Sequence, residues 1–238
     1  MKYSIQLYSV RDLASNDLEA AIREVAHIGY SAIEFAGFFS HSASEVSGWL
    51  KKYGIGISGT HTGWEEIADN YDDTLAFHKE IGNKYIIIPG ADLSTAKKLD
   101  DFITMVNTYV PKLKAEGITL GFHNHYAEFA PNNDGQIIYD ELVNRSALSL
   151  EIDTYWAFKA GKDPIALMKK YADRLIFVHL KDGDGGMGGR ALGEGIAPVK
   201  AVRKKAVEMG VPMVVESENL NPNGIDEVTR CFKYLASL

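Results

Sequence analysis

The sequence predicts a (β/α)8 TIM barrel, and three observations predict it. Short β-branched runs alternate with amphipathic helical patterns eight times in 238 residues. That is about 30 residues per unit, the pace of parallel strands joined by helical crossovers. Glycine recurs between a helical pattern and the next strand, at Gly29, Gly54, Gly82, Gly117 and Gly210, where a left-handed residue ends a helix at little cost. No linker or shift of composition divides the chain, so one domain over residues 1–238 is expected.

The elements follow in order. Tyr3–Tyr8 is the first strand, and Asn16-Asp17 supplies a cap for a helix over Asp17–His27. Ala32–Ala36 is the second strand, followed by a helix over Ser44–Tyr53 with Ser42 at its start. Ile55–Thr60 precedes a long helix over Glu65–Ile81. Tyr85–Pro89 precedes the longest, Thr95–Glu116. Thr119–His123 pairs with a helix over Gln136–Asn144. Leu148–Asp153 pairs with Pro164–Tyr171, where Asp163-Pro164 gives a cap and a preset φ. Leu175–Leu180 leads to Pro198–Met209, and Met213–Glu216 to Ile225–Leu235. An open doubly wound sheet would call for G-x-G-x-x-G after the first strand, and none is there. The glycine-rich stretch from Gly183 to Gly195 follows the seventh strand and lacks a phosphate loop's Gly-Lys-Ser/Thr ending. It reads either as a surface loop or as a cover over a substrate.

Composition removes several function classes. Lys and Arg number 25 against 32 Asp and Glu, a net charge of -7, which is the wrong sign for a nucleic-acid surface. No apolar run approaches the ~20 residues of a membrane span. One cysteine, Cys231, cannot form an internal disulfide. The N-terminus enters a strand pattern at once and shows no secretory signal, so a cytoplasmic location is expected. With nucleic acid and membrane set aside, a small-molecule partner is expected, and homo-oligomerisation is left open.

In such a barrel the active site is built at the C-terminal ends of the strands. There the sequence places Gln6 and Tyr8, then Glu34, His61, His123-Asn124-His125 with Glu128, Glu151 and Asp153, His179 with Lys181, and Glu216 with Glu218. His123, Asp153, His179 and Glu216 succeed one another at intervals of 30, 26 and 37 residues. Each interval is about one βα unit, so four adjacent strands bring a carboxylate or imidazole to one rim. Such groups need compensation in an apolar setting. One divalent ion compensates them together, whereas Lys and Arg would do so one by one. Oxygen-rich donors with few imidazoles and no thiolate suit Mn2+ first, with Mg2+, Co2+ and Zn2+ as alternatives.

Particular segments resemble the sugar phosphate isomerase/epimerase family with the xylose-isomerase-like barrel, in its His-Asn-His subgroup. They are Ile5-Gln6-Leu7-Tyr8-Ser9-Val10-Arg11-Asp12, Gly121-Phe122-His123-Asn124-His125 with Glu128-Phe129, Asp153-Thr154-Tyr155-Trp156-Ala157, Val178-His179-Leu180-Lys181-Asp182, Leu192-Gly193-Glu194-Gly195 and Val215-Glu216. The resemblance runs the length of the chain and implies a metal held by Asp153, His179, Glu216 and a fourth residue from strand 5. Many relatives have Glu-Asn-His at that place, where this chain has His123-Asn124-His125. Glu128 is therefore expected as the fourth ligand, with His123 as its rival. A DNA-repair endonuclease branch holds extra metals through histidines on strands 4 and 6 and an Asp-x-His pair. The corresponding residues here are Ile88, Trp156 and Gly188-Gly189-Arg190-Ala191, so a three-metal nuclease site is not expected.

The resemblance implies proton abstraction next to a carbonyl of a keto-sugar, with the metal stabilising an enediolate. The outcome is isomerisation or epimerisation, the alternatives being dehydration of a keto-inositol or keto-glycoside and a sugar-binding barrel without catalysis. Glu216 is the expected base, with His125 or Glu128 as its partner. Tyr8, His61, His123, Trp156 and Lys181 are expected to contact the substrate. Glu218 is expected to face solvent or a helix. A net negative site with few cations favours an unphosphorylated sugar derivative.

Overall fold

The computed structural model describes residues 1–238 and contains a closed barrel of eight parallel strands. They are β1 (Ser4–Gln6), β2 (Ala32–Ala36), β3 (Gly56–His61), β4 (Tyr85–Ile88), β5 (Thr119–His123), β6 (Ser149–Asp153), β7 (Leu175–Leu180) and β8 (Met213–Val215). Each strand pairs with its neighbours in sequence, and β8 pairs with β1 to close the ring. The outer helices are α1 (Leu18–Ile28), α2 (Ala43–Tyr53), α3 (Tyr71–Glu80), α4 (Ala96–Ala115), α5 (Ile138–Arg145), α6 (Pro164–Lys170), α7 (Val199–Met209) and α8 (Gly224–Ala236).

The caps form at the sequence positions that suggested them. Asp17 accepts from the Ala20 amide at 2.8 Å. Ser42 and Glu45 make a reciprocal capping box, and Asp163 accepts from the Ile165 amide with Pro164 in the first turn. Gly29, Gly54 and Gly210 close α1, α2 and α7 in the left-handed region. Apolar residues that strands turn outward, such as Ile33, Phe35, Val178 and Val215, are buried under Val25, Val46, Val202 and Val228 of the helices.

Three local departures have physical causes. The first strand stops at Gln6 because its side chain accepts from the Tyr8 amide at 3.0 Å, turning Leu7–Val10 into a 3-10 turn. The helix expected over Glu65–Ile81 is broken at Asn70, which leaves helical geometry between Trp64–Asp69 and α3. The glycine-rich stretch is anchored. Asp182–Gly183 pairs antiparallel with Gly189–Arg190. The Asp182 carboxylate accepts from the amides of Gly193, Gly195 and Ala197 at 2.9, 3.1 and 3.0 Å.

The barrel interior is filled in two levels. Ile87, Phe177 and Val214 form a separate apolar cluster. Glycine makes room beside it: a Cβ at Gly59 would lie 3.1 Å from Ile87 Cδ1 and 3.2 Å from Glu34 Oε1. The residues that follow toward the strand ends are polar, and they build the site.

Candidate active site and metal centre

Glu34 on β2, His61 on β3, Glu151 on β6 and His179 on β7 meet inside the barrel. His61 Nε2 lies 2.9 Å from Glu151 Oε2 and 3.2 Å from Glu34 Oε2. His179 Nε2 lies 2.8 Å from Glu34 Oε2 and 3.1 Å from Glu151 Oε2. Gln6 Nε2 donates to Glu34 Oε2 at 2.8 Å. Burial, with the charge of Glu151 beside it, pushes the Glu34 carboxyl up to about 7. Burial also acts to raise Glu151, but the charge of His179 and hydrogen bonds from His123, His179 and His61 outweigh it and hold Glu151 well below the usual range. His179 is raised well above the ordinary imidazole value, because Glu151 and Glu34 outweigh its burial. The carboxylates fix both ring orientations. They engage His179 through Nε2 and leave Nδ1 turned to the rim, the atom a metal-ligating imidazole would use.

On the rim, His123, Asp153, His179 and Glu216 offer ligand atoms that all lie within 4.8 Å of one another, from four consecutive strands. His179 Nδ1 is 3.3 Å from Glu216 Oε2, and His123 Nε2 is 3.9 Å from Asp153 Oδ2. Asp153 has two tasks. Its Oδ1 accepts from the Trp156 amide at 2.9 Å and caps a short helix, Thr154–Lys159, that the sequence reading did not anticipate. Its Oδ2 is buried and has no hydrogen-bond partner. Burial raises the Asp153 carboxyl to about 7 despite the charge of Lys181. An orphaned buried carboxylate oxygen among three other candidate ligands is what a cation site requires, so the residues fit a divalent ion.

The polar residues named from the sequence are placed as follows. His61, His123, His125, Glu216, Tyr8 and Glu218 line a cleft of about 420 Å³. Lys181 is fully buried, with its ammonium 2.7 Å from Glu218 Oε2, 3.2 Å from Glu216 Oε2 and 3.8 Å from Asp153 Oδ2. Trp156 is buried behind it, with Lys181 Nζ 4.3 Å from the ring centroid, and does not line the cleft. Glu128 is buried and accepts from the backbone amide of His125 at 2.8 Å. It is not among the four clustered ligands, whereas His123 is. The expectation that Glu218 faces solvent or a helix is corrected, since it pairs with Lys181 and lines the cleft. Both Glu216 and Glu218 lie past the end of β8, where strand alternation gives no signal for a shared face. Glu66, also on the cleft wall, was not singled out from the sequence; it sits in the helical segment before Asn70, where only the fold brings it to the rim.

Two outcomes test the ligand set. His123→Ala is expected to weaken Mn2+ binding by more than tenfold, consistent with loss of a ligand, while Glu128→Gln weakens it less. Equilibrium dialysis decides, and the reverse order would return the fourth position to Glu128. Metal affinity should also depend on pH. Asp153 holds a proton below about pH 7 and must release it to bind a cation, as must His179. Affinity is therefore expected to fall as pH drops through 7, by about tenfold per unit for each proton displaced. Titration of Mn2+ between about pH 8 and about pH 6 measures the slope. A flat profile would remove both Asp153 and His179 from the ligand set.

Comparison with known proteins places this geometry. An inosose dehydratase from Geobacillus kaustophilus is 24% identical over 189 residues, which is 69% of this chain and 61% of that protein. The chain thus spans under two thirds of that relative's length. Among solved structures, a sugar phosphate isomerase/epimerase from Parabacteroides distasonis superimposes with a TM-score of 0.87 at 24% identity, covering 100% of this chain and 98% of that one. An L-ribulose 3-epimerase superimposes with a TM-score of 0.74 at 14% identity, covering 100% and 94%. These likenesses agree in fold, and the family model for the xylose isomerase-like TIM barrel matches residues 22–235. With a closed eight-strand barrel and its polar residues at the C-terminal rim, the chain belongs to the xylose isomerase-like TIM barrel family.

Proposed function

We propose that this chain removes the proton next to a carbonyl of a keto-sugar or oxidised sugar derivative, and so isomerises or epimerises it. The proposed site is one divalent ion held by His123, Asp153, His179 and Glu216. The observation that carries this reading is the convergence of those four ligands beside the cleft. Two imidazoles and two carboxylates suit Mn2+, and also Zn2+. When bound, the ion supplies Lewis acidity that draws negative charge off the substrate carbonyl.

The chain's own residues do the rest. Lys181 and His179 overcome the burial of Glu216 and hold its carboxyl well below the usual range, so it stays ionised, as a ligand and as the unprotonated form of a base must. His125 lines the same cleft, and burial holds its imidazole below the ordinary value. It is therefore neutral near pH 7 and able to take or return a proton. Glu128, on the His125 amide, fixes the turn that presents this ring.

The cleft lining favours a substrate without phosphate. Its wall carries Glu66, Glu216 and Glu218 with His61, His123 and His125, and no Lys or Arg. The nearby cations are engaged: Arg190 with Asp184, Arg11 with the Tyr8 and Glu218 carbonyls, and Lys181 with three carboxylates.

A second reading is dehydration. It is supported by the name of the inosose dehydratase relative. Incubating keto-sugars and keto-inositols with Mn2+ in D2O separates the readings by mass. Deuterium gain without loss of water supports isomerisation or epimerisation, and loss of water supports the lyase. Binding without either would make the chain a sugar-binding barrel.

A further inference from the structure

The polar cleft does not end at Tyr8. A second hollow of about 270 Å³ adjoins it, lined by Leu7, Tyr8, Arg11, Ala14, Ala36 and Phe39, with Ser15 at its edge. Tyr8 and Ala36 line both hollows. Their chemistry is opposite. The first is walled by carboxylates and imidazoles, and the second mainly by apolar side chains. Arg11 does not bring a free charge to it. The guanidinium carbon lies 4.3 Å from the Tyr8 ring centroid, and the group donates to the carbonyls of Tyr8 at 3.0 Å and Glu218 at 2.9 Å. These contacts hold Tyr8 in place at the boundary that the two hollows share. Phe39 presents a second ring. It is 43% exposed, as is Tyr8. The backbone holds Phe39 at φ 50° and Ser40 at φ 66°, a left-handed turn unfavourable for residues with a Cβ, of the kind that persists where the surroundings impose it.

Two exposed aromatic rings and an apolar floor, continuous with a site for a polar ring, match a molecule with one polar and one carbon-rich part. On the reading that the polar cleft takes a sugar ring, we propose that the Tyr8–Phe39 groove is a subsite for an aryl or alkyl aglycone carried by that sugar. The substrate is then a glycoside derivative rather than a free monosaccharide.

The test uses matched methyl and phenyl glycosides of glucose, galactose and xylose, each oxidised at one ring hydroxyl to the ketone, in both anomers, titrated calorimetrically into the full chain with Mn2+. At least one phenyl glycoside is expected to bind about tenfold more tightly than its methyl partner, from the extra apolar area covered. Phe39→Ala, which removes one wall, is expected to bring that ratio close to one. Ser15→Phe, at an exposed position on the groove's edge, is expected to do the same by filling it. The two substitutions lie on different elements, so one remains informative if the other fails to fold. Equal affinity within every pair overturns the subsite and leaves the sugar reading of the cleft intact. A phenyl preference that survives both substitutions also overturns it. Failure of all the glycosides to bind overturns the subsite and the sugar reading together. A phenyl preference lost in the variants, without any solvent-proton exchange, supports the subsite and removes only the chemistry proposed above.

Discussion

Glu216→Gln is expected to lower turnover by about 10²–10⁴-fold at saturating Mn2+, the usual range for a general base, while the circular dichroism spectrum stays that of the wild type. The carboxylate lies 3.3 Å from His179 Nδ1 and 3.2 Å from Lys181 Nζ. An amide of the same size keeps one acceptor oxygen there and loses both the charge and the basic electron pair. Glu218→Gln is expected to cost less. Its carboxylate touches Lys181 but is not one of the four clustered ligands. Activity under excess Mn2+ separates two roles for Glu216. If added metal restores the full rate, Glu216 only binds the ion, and the base lies at His125 or Glu128.

Asp153→Asn should uncouple metal binding from stability. A ligand that binds only the folded state adds about 2.7 kcal/mol at one hundred times its Kd. For a chain of this size that raises Tm by about 5–10 °C. Wild-type protein is expected to show this rise with Mn2+, and Asp153→Asn to show almost none. Metal-free Asp153→Asn should nonetheless melt at or above the wild-type temperature. Asparagine still caps the Thr154–Lys159 helix through Oδ1, and an uncharged Nδ2 replaces the buried, unpartnered carboxylate Oδ2. Lys181 keeps Glu216 and Glu218. A variant that retains the Mn2+-induced rise would show that Asp153 is not a ligand. A variant that unfolds without metal would show that the carboxylate holds the barrel together.

The strands were legible because their signals are local. β2, β5 and β7 have the bounds that their β-branched patterns suggest. α1 and α2 start and stop at their caps and glycines within a residue. The break at Asn70 was not legible, since helical periodicity continues across it. Nor was the Thr154–Lys159 helix, whose cap is also a candidate ligand. Its aromatic sequence carries no amphipathic period over one and a half turns.

For the site, the sequence by itself determined which residues reach the rim. Parallel strands place successive C-terminal ends on one side, so His123, Asp153, His179 and Glu216 had to converge. It could not decide which atoms meet, because contacts of a few ångströms depend on strand register and ring orientation. The tertiary structure decided that Glu34 and Glu151 grip His61 and His179 from within. It decided that Glu128 turns back to the His125 amide while His123 joins the clustered ligands. It also drew Glu218 to Lys181. The physical reason lies in the barrel interior, where water is excluded. A buried charge there must find its partner among side chains from other strands, and only closure of the barrel sets those partners.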